Sequence, residues 1–263
     1  MKKGSIKFWV VVVAALSLSY STFILTKVSF ASHRNKCRKC VVVGNGGVLR
    51  NKMLGKRIDS FEVVIRINSG PVRGYESDVG KRTTFRLCYP ESIFKDPRDA
   101  DPDTTVVIIP FKPHDLRWVT DVLLHKPVNV TGFWKKPATK LIYKPDQLRV
   151  LSPFYLYKAA HNVFHLPEKF LLEKILPTSG IIAITMALDV CEKVYIAGFK
   201  YDLSSDNYLH YYGNETMFEM TKNEYHNITA EQTFLSYLTG RGEITDLTGE
   251  KLPRRTEEEK SLT

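Results

Sequence analysis

The chemistry this 263-residue chain could perform is concentrated in a few places, the first of them Cys40-Val41-Val42-Val43-Gly44-Asn45-Gly46-Gly47. An apolar run ending in an asparagine between glycines reads as a strand entering a phosphate-binding turn. A dinucleotide fingerprint needs a third glycine, and Leu49 occupies that place. The second strand ends in Asn68, where a ribose-binding acid belongs, so NAD is disfavoured twice. No G-K-[ST] follows, which removes the P-loop. Two asparagines remain, Asn45 and Asn68, at the carboxyl ends of two expected neighbouring strands, where open α/β sheets bind ligands. Their amides suit ribose hydroxyls, phosphate oxygens or a pyrimidine edge.

A second place is Thr178-Ser179-Gly180, which heads an apolar helix and so aims backbone N–H groups and the positive dipole end at an anion. The seven histidines have the right pKa for proton transfer, but composition and spacing alone single out none of them. Asp101-Pro102-Asp103 has the spacing that holds a divalent cation against a diphosphate. It lies in a proline-broken loop rather than at a strand end, so we read it as coincidence. Cys37-x-x-Cys40 has no second CxxC and no histidine at zinc-finger spacing, so no zinc site is expected.

These residues need a scaffold. Cys40–Val43, Phe61–Asn68, Thr83–Leu87, Val106–Pro110 and Lys193–Phe199 read as strands. Gly180–Cys191 is apolar nearly all round, as a helix buried on several sides should be. Thr229-Ala230-Glu231-Gln232 reads as a capping box opening a helix that runs to Gly240. In that helix Glu231 stands at the second position, where a carboxylate suits the dipole. Strands alternating with helices imply one α/β, Rossmann-like domain with a mainly parallel sheet. Residues 37–248 are expected to form it, with a loose charged tail over 249–263.

The flanks carry an address. Phe8 to Leu25 holds no charge for 18 residues, about 27 Å as a helix. That is close to a bilayer core, and Lys2, Lys3 and Lys7 precede it. The expectation is a cytosolic tail (1–7), one transmembrane signal-anchor helix (8–26), a short stem (27–36) and a luminal catalytic domain. A cleaved signal peptide is the rival; the apolar run is long for one and no A-x-A site follows. Three glycosylation sequons begin at Asn129, Asn214 and Asn227, in keeping with the lumen. Four cysteines, Cys37, Cys40, Cys88 and Cys191, leave three pairings open there. The net charge of +10 suits an anionic substrate or membrane surface; without a dense basic tract, nucleic acid is the weakest partner class.

Four stretches, in order, carry a family resemblance. Cys40-Val41-Val42-Val43-Gly44-Asn45-Gly46 through Phe61–Asn68, Gly80–Arg86 and Tyr89-Pro90-Glu91-Ser92 resembles the large sialylmotif of the animal sialyltransferases, glycosyltransferase family 29. Pro177-Thr178-Ser179-Gly180 through Cys191 to Ala197-Gly198-Phe199 resembles the small motif. His210-Tyr211-Tyr212-Gly213 is similar to the third motif, and His226 with Glu231 to the very small one. The wording between them is similar to the beta-galactoside alpha-2,3 branch.

The resemblance implies transfer of N-acetylneuraminic acid from CMP-sialic acid to a terminal galactose of Galβ1-4GlcNAc, on glycoproteins and glycolipids. The anomeric carbon inverts, with no metal or other cofactor, and the fold is a GT-A-like variant in the Golgi membrane. It implies His226 as general base and His210 as stabiliser of the departing phosphate. Asn45, Asn68, Thr178, Ser179, Gly180, Gly198 and Tyr211 would contact the donor, with Glu231 and Tyr212 in support and Glu231 orienting the segment that carries His226. The usual family wording has Thr-Gly where this chain has Ser179-Gly180; the hydroxyl is retained. The resemblance also implies a Cys40–Cys191 disulfide, and for Cys37 an upstream partner that this sequence lacks. About ten residues separate anchor and large motif, where relatives carry some tens. An alternative is therefore a catalytically weak luminal protein that binds CMP-sialic acid, and a third, opposed by Leu49 and Asn68, is an ordinary dinucleotide enzyme.

Overall fold

A computed structural model describes residues 36–164, 176–200, 207–221 and 225–249. The expected anchor, cytosolic tail, most of the stem and the charged tail lie outside the described residues. Among those described, no helix is long and apolar enough to cross a membrane.

Seven parallel strands form one sheet: β1 (Cys37–Val43), β2 (Val63–Ile67), β3 (Phe85–Cys88), β4 (Thr105–Ile108), β5 (Leu148–Val150), β6 (Cys191–Ala197) and β7 (Ile244–Asp246). Their order is β5-β4-β3-β2-β1-β6-β7. The chain winds outward from β1 to β5, then returns to the other side of β1 for β6 and β7. The direction of winding thus reverses between β1 and β6, which makes the crevice at their carboxyl ends the expected ligand position. The register there pairs Val43 with Ala197, so the Gly44 turn and Gly198 leave the sheet side by side.

Burial on both faces explains the apolar strands. Val42, Ile65, Leu87 and Val107 face one core, closed by helices α4 (Phe154–Phe164), α5 (Ser179–Val190) and α7 (Ile228–Gly240), the last preceded by the short α6 (Phe218–Thr221). Val41, Val43 and Val64 face the other, packed against Ile58 of α1 (Gly55–Asp59) and Val79 of α2 (Glu76–Val79). Beyond them Val106 and Ile108 pack under Trp118 of α3 (Pro113–Leu123). This alternation is the two-residue period of a strand, and it places α5, the most enclosed helix, directly against β1 and β6.

Two local readings change. The helix expected to start at Thr229 is capped by Asn227, whose Oδ1 accepts the Ala230 N–H at 3.0 Å. Glu231 is therefore the fourth residue of α7, still in its first turn, instead of the second, and it is only 3% exposed. The disulfide expectation also needs widening. Cys37 lies opposite Cys191 in the β1–β6 register, with Cα atoms 4.5 Å apart, while Cys40 and Cys191 are 6.2 Å apart. Both sulfurs reach Cys191, which can bond only one of them; Cys88 is a buried free thiol.

Candidate active site

Above the carboxyl ends of β1, β2 and β6 opens a cleft of about 360 Å³. One wall is the first turn. The Gly44 N–H donates to the Ala197 carbonyl at 2.7 Å, and the Gly46 N–H to the Gly198 carbonyl at 3.0 Å. A Cβ on Gly44 or Gly46 would sit 2.6 Å from that Gly198 oxygen, so the turn needs both glycines. Gly198 itself has φ +82°, and a Cβ there would meet Leu49 at 2.5 Å. Leu49, which breaks the dinucleotide fingerprint, is thus the apolar plug beneath the turn.

Asn45 and Asn68 both line the cleft, as their positions predict. Asn45 is buried, and its amide reaches the Ile67 carbonyl at 3.5 Å. Asn68 takes the left-handed conformation, φ +52°, which asparagine tolerates better than most residues. Its Oδ1 accepts the Ser92 hydroxyl at 3.0 Å. The fully buried Arg86 fixes this loop from behind, donating to the carbonyls of Asn68 at 2.7 Å and Gly70 at 3.1 Å. Arg86 is charge-paired with Asp101 through Nε–Oδ2 and through Nη2–Oδ1 at 3.1 Å. The first aspartate of the apparent metal motif is therefore the counter-ion of a loop-holding arginine.

His210 reaches the cleft on a segment laid along the turn: Gly46 and His210 form an antiparallel bridge. The Gly47 N–H donates to the Leu209 carbonyl at 3.1 Å, and the Tyr211 N–H to the Asn45 carbonyl at 3.0 Å. The His210 ring stacks on Tyr212 with centroids 5.0 Å apart and planes 5° apart. Burial lowers its pKa, opposed by the Glu215 carboxylate. Arg50 supports the segment from outside, donating to the His210 carbonyl at 3.3 Å.

The opposite wall joins α5 and α7. Thr178 Oγ1 caps α5 by accepting the Ile181 N–H at 3.3 Å, as the sequence predicts. Thr178 also donates twice to Glu231, from its N–H to Oε1 at 2.7 Å and from its hydroxyl to Oε2 at 2.8 Å. Burial nonetheless outweighs both bonds and raises the Glu231 carboxyl to about 7. Just before α7, His226 places Nδ1 2.7 Å from the Leu176 carbonyl, and the Leu176 N–H donates to the Tyr225 carbonyl at 3.0 Å. A carbonyl accepts only, so Nδ1 carries the proton and Nε2 the basic lone pair. Burial lowers the His226 pKa, against the opposing effect of that bond. The ring is thereby held neutral and in one tautomer. Glu231 orients Thr178 and the head of α5 by direct bonds; it meets the His226 segment only through the chain, since His226 lies just ahead of the Asn227 cap of the helix that carries Glu231.

Asn45, Asn68, Thr178, Ser179, Gly180, His210, His226 and Glu231 thus meet at one cleft. Two residues expected at the donor stand behind that wall. Gly198 shapes the turn from below. Tyr211 is 3% exposed in the second core and donates its hydroxyl to the Pro71 carbonyl at 2.6 Å, because its neighbour His210 takes the outward place in the segment. Tyr212 supports His210 by stacking. The sequon asparagines Asn129, Asn214 and Asn227 are all exposed. The sequence-based reading missed an aromatic wall of Tyr89, Phe111, Trp134 and Tyr225. These come from separate loops, with no periodicity to announce them.

The family model for glycosyltransferase family 29 (sialyltransferase) matches residues 10–243. The chain is 55% identical over 215 residues to the type 2 lactosamine alpha-2,3-sialyltransferase of Homo sapiens, covering 81% of this chain and 65% of that protein. It is 42% identical to the CMP-N-acetylneuraminate-beta-1,4-galactoside alpha-2,3-sialyltransferase of Rattus norvegicus, over 80% of this chain and 58% of the relative. The chain therefore spans just under two thirds of the length of the curated relatives it matches. Among solved structures it resembles a mammalian sialyltransferase at 27% identity and TM-score 0.67, covering 81% of this chain and 70% of that one. A similar match, at 26% identity and TM-score 0.66, is that sialyltransferase in complex with Gal-beta-1-3GalNAc-ortho-nitrophenol.

Proposed function

This chain belongs to glycosyltransferase family 29, the sialyltransferases, and from that premise we propose that it transfers N-acetylneuraminic acid from CMP-sialic acid to the 3-hydroxyl of a terminal β-galactose. The acceptor is of the Galβ1-4GlcNAc type, on glycoproteins and glycolipids. Supporting this reading are the relatives above and the convergence of both sequence-predicted histidines on the cleft where the sheet reverses.

The observation that carries the mechanism is the His226–Leu176 contact. With Nδ1 donating to a carbonyl, Nε2 accepts the proton of the acceptor hydroxyl as that oxygen attacks the anomeric carbon of the donor. The bond from that carbon to the phosphate oxygen breaks on the opposite side, inverting the centre and releasing CMP. A buried, depressed pKa keeps His226 in the basic form at neutral pH. Burial likewise holds His210 below its ordinary value. The leaving phosphate brings negative charge, which raises the His210 pKa and draws a proton to it as that charge develops. Asn45, Asn68 and the N-terminal end of α5, with Thr178, Ser179 and Gly180, supply amides, N–H groups and dipole to the nucleotide and carboxylate.

In this reading no step needs a divalent cation, since a single phosphate departs and cationic His210 and the helix end serve it. The working enzyme sits in the Golgi membrane as a single-pass type II protein, with residues 8–26 as anchor and 37–248 in the lumen. The test is transfer of sialic acid from CMP-sialic acid to Galβ1-4GlcNAc by the chain and by its His226→Ala variant. Linkage-specific product from the former and its loss in the latter support the assignment; equal transfer by both overturns it.

A further inference from the structure

The aromatic wall of the cleft rests on a buried charged cluster with no part in the mechanism above. Glu91 follows β3, and Lys112 stands at the N-cap position of α3, its backbone N–H donating to Asp115 of that helix at 3.0 Å. Lys112 Nζ lies 2.9 Å from Glu91 Oε1 and 2.8 Å from Asp115 Oδ1, and the three side chains are 13%, 1% and 0% exposed. Burying two carboxylates with one ammonium is costly unless the group is held to a task or fully bonded. Here it grips one loop. Glu91 Oε1 also accepts the Trp134 N–H at 3.0 Å, and the Lys112 ammonium sits 4.0 Å from the centre of the Trp134 ring. Trp134 is nevertheless 49% exposed on the cleft wall, with Tyr225 6.5 Å away. An indole fixed at its backbone and on one face by buried charge, yet half open to the cleft, is a rigid platform.

We propose that Trp134, with Tyr225 beside it, is the stacking platform for the acceptor's terminal galactose, and that Lys112 and Glu91 are the residues that position it. This deepens the transferase reading and rests on it for the identity of the sugar. The polar groups suited to a nucleotide, Asn45, Asn68, His210 and Thr178, lie at the sheet end and the head of α5. The aromatic wall comes instead from loops after β3, β4 and α3 and from Tyr225, the residue that precedes His226. A β-galactose presents a C–H-lined face and a rim of hydroxyls. Seated on Trp134 and Tyr225 by that face, it brings its hydroxyl rim to the base. Aromatic side chains offer such contact at low entropic cost because only two torsions are fixed.

The experiment combines kinetics with quenching of tryptophan fluorescence by acrylamide in the whole chain. Trp118 is buried and its indole N–H donates to the Ala138 carbonyl, and the Trp134 signal is read as the difference between wild type and Trp134→Phe, in which Trp9 cancels. N-acetyllactosamine added with CMP is expected to shield Trp134, whereas CMP alone is not. Trp134→Ala is expected to raise the acceptor KM about 10-fold or more while the donor KM stays within about 2-fold, with Trp134→Phe recovering most of the loss. Glu91→Gln keeps an oxygen for the Trp134 N–H but loosens Lys112, and should raise the acceptor KM about 3-fold at unchanged kcat and donor KM. An unchanged acceptor KM in Trp134→Ala, an equal rise for the donor, or shielding by CMP alone would overturn the proposal. Should the chain transfer nothing to any galactoside, the transferase reading fails on its own, and shielding by lactosamine still decides for or against the platform.

Discussion

Replacing Glu231 by glutamine tests whether the clasp between α5 and α7 is read correctly. In the ionised form Glu231 accepts two hydrogen bonds from Thr178 but is almost wholly desolvated, and its folded pKa is about 7 against 4.5 for the free side chain. A folded pKa raised above the unfolded one means the folded state holds the proton more tightly. The associated stability is fully present below pH 4.5 and is lost as pH rises through 7. A tenfold change in proton affinity is worth about 1.4 kcal/mol, so the whole effect is about 3 kcal/mol. Glutamine mimics the protonated acid: Oε1 accepts the Thr178 N–H and Nε2 donates to the Thr178 hydroxyl oxygen. Urea unfolding of wild type and Glu231→Gln at pH 5, 6, 7 and 8, disulfides intact, should therefore show wild type losing stability relative to the variant as pH rises. A difference that stays flat across that range, or that grows in favour of wild type, would refute the burial argument.

Other outcomes follow from the same contacts. The acid limb of the pH profile for transfer, read from kcat/KM, should lie below the ordinary histidine value of 6.5, because burial depresses His226. Thr178→Ala removes the cap of α5 and both side-chain roles of the hydroxyl. It should cost about 1 to 2 kcal/mol in thermal or urea unfolding, with Thr178→Ser close to wild type. Asp101→Asn leaves the Arg86 guanidinium buried without its charge partner; a loss of about 3 to 5 kcal/mol is expected by urea unfolding. A chelator such as EDTA should leave transfer unchanged, since Asp101 is engaged by Arg86; inhibition reversed by added Mg²⁺ or Mn²⁺ would show that a metal is used.

The central sheet was legible because buried parallel strands are continuous apolar runs, as in Val41–Val43 and Val106–Ile109. Strands β5 and β7 were not, being three-residue edge pieces, Leu-Arg-Val and Ile-Thr-Asp, whose composition does not separate them from loop. The sheet-end side of the cleft was legible from Asn45, Asn68 and Thr178, because strand ends and a helix cap leave local marks. What depends on distant partners was not. Glu231 meets Thr178 across 53 residues, and Asn227 outcompetes Thr229 as cap through a bond that the capping-box pattern does not distinguish. Tyr211 and His210 are neighbours with opposite fates, decided by which of them faces the core. The aromatic wall likewise exists only once four loops converge, over a cluster whose members Glu91 and Lys112 are 21 residues apart.

The most direct measurement is transfer of labelled sialic acid from CMP-sialic acid to Galβ1-4GlcNAc by the intact chain and by His226→Ala, with CMP affinity measured on both. Loss of a general base predicts a fall in kcat of about 100-fold or more at unchanged CMP binding. Wild-type transfer matched by His226→Ala would contradict the assignment of the base; CMP binding without transfer by the wild-type chain would contradict the transferase reading itself and favour a protein that only binds the nucleotide sugar.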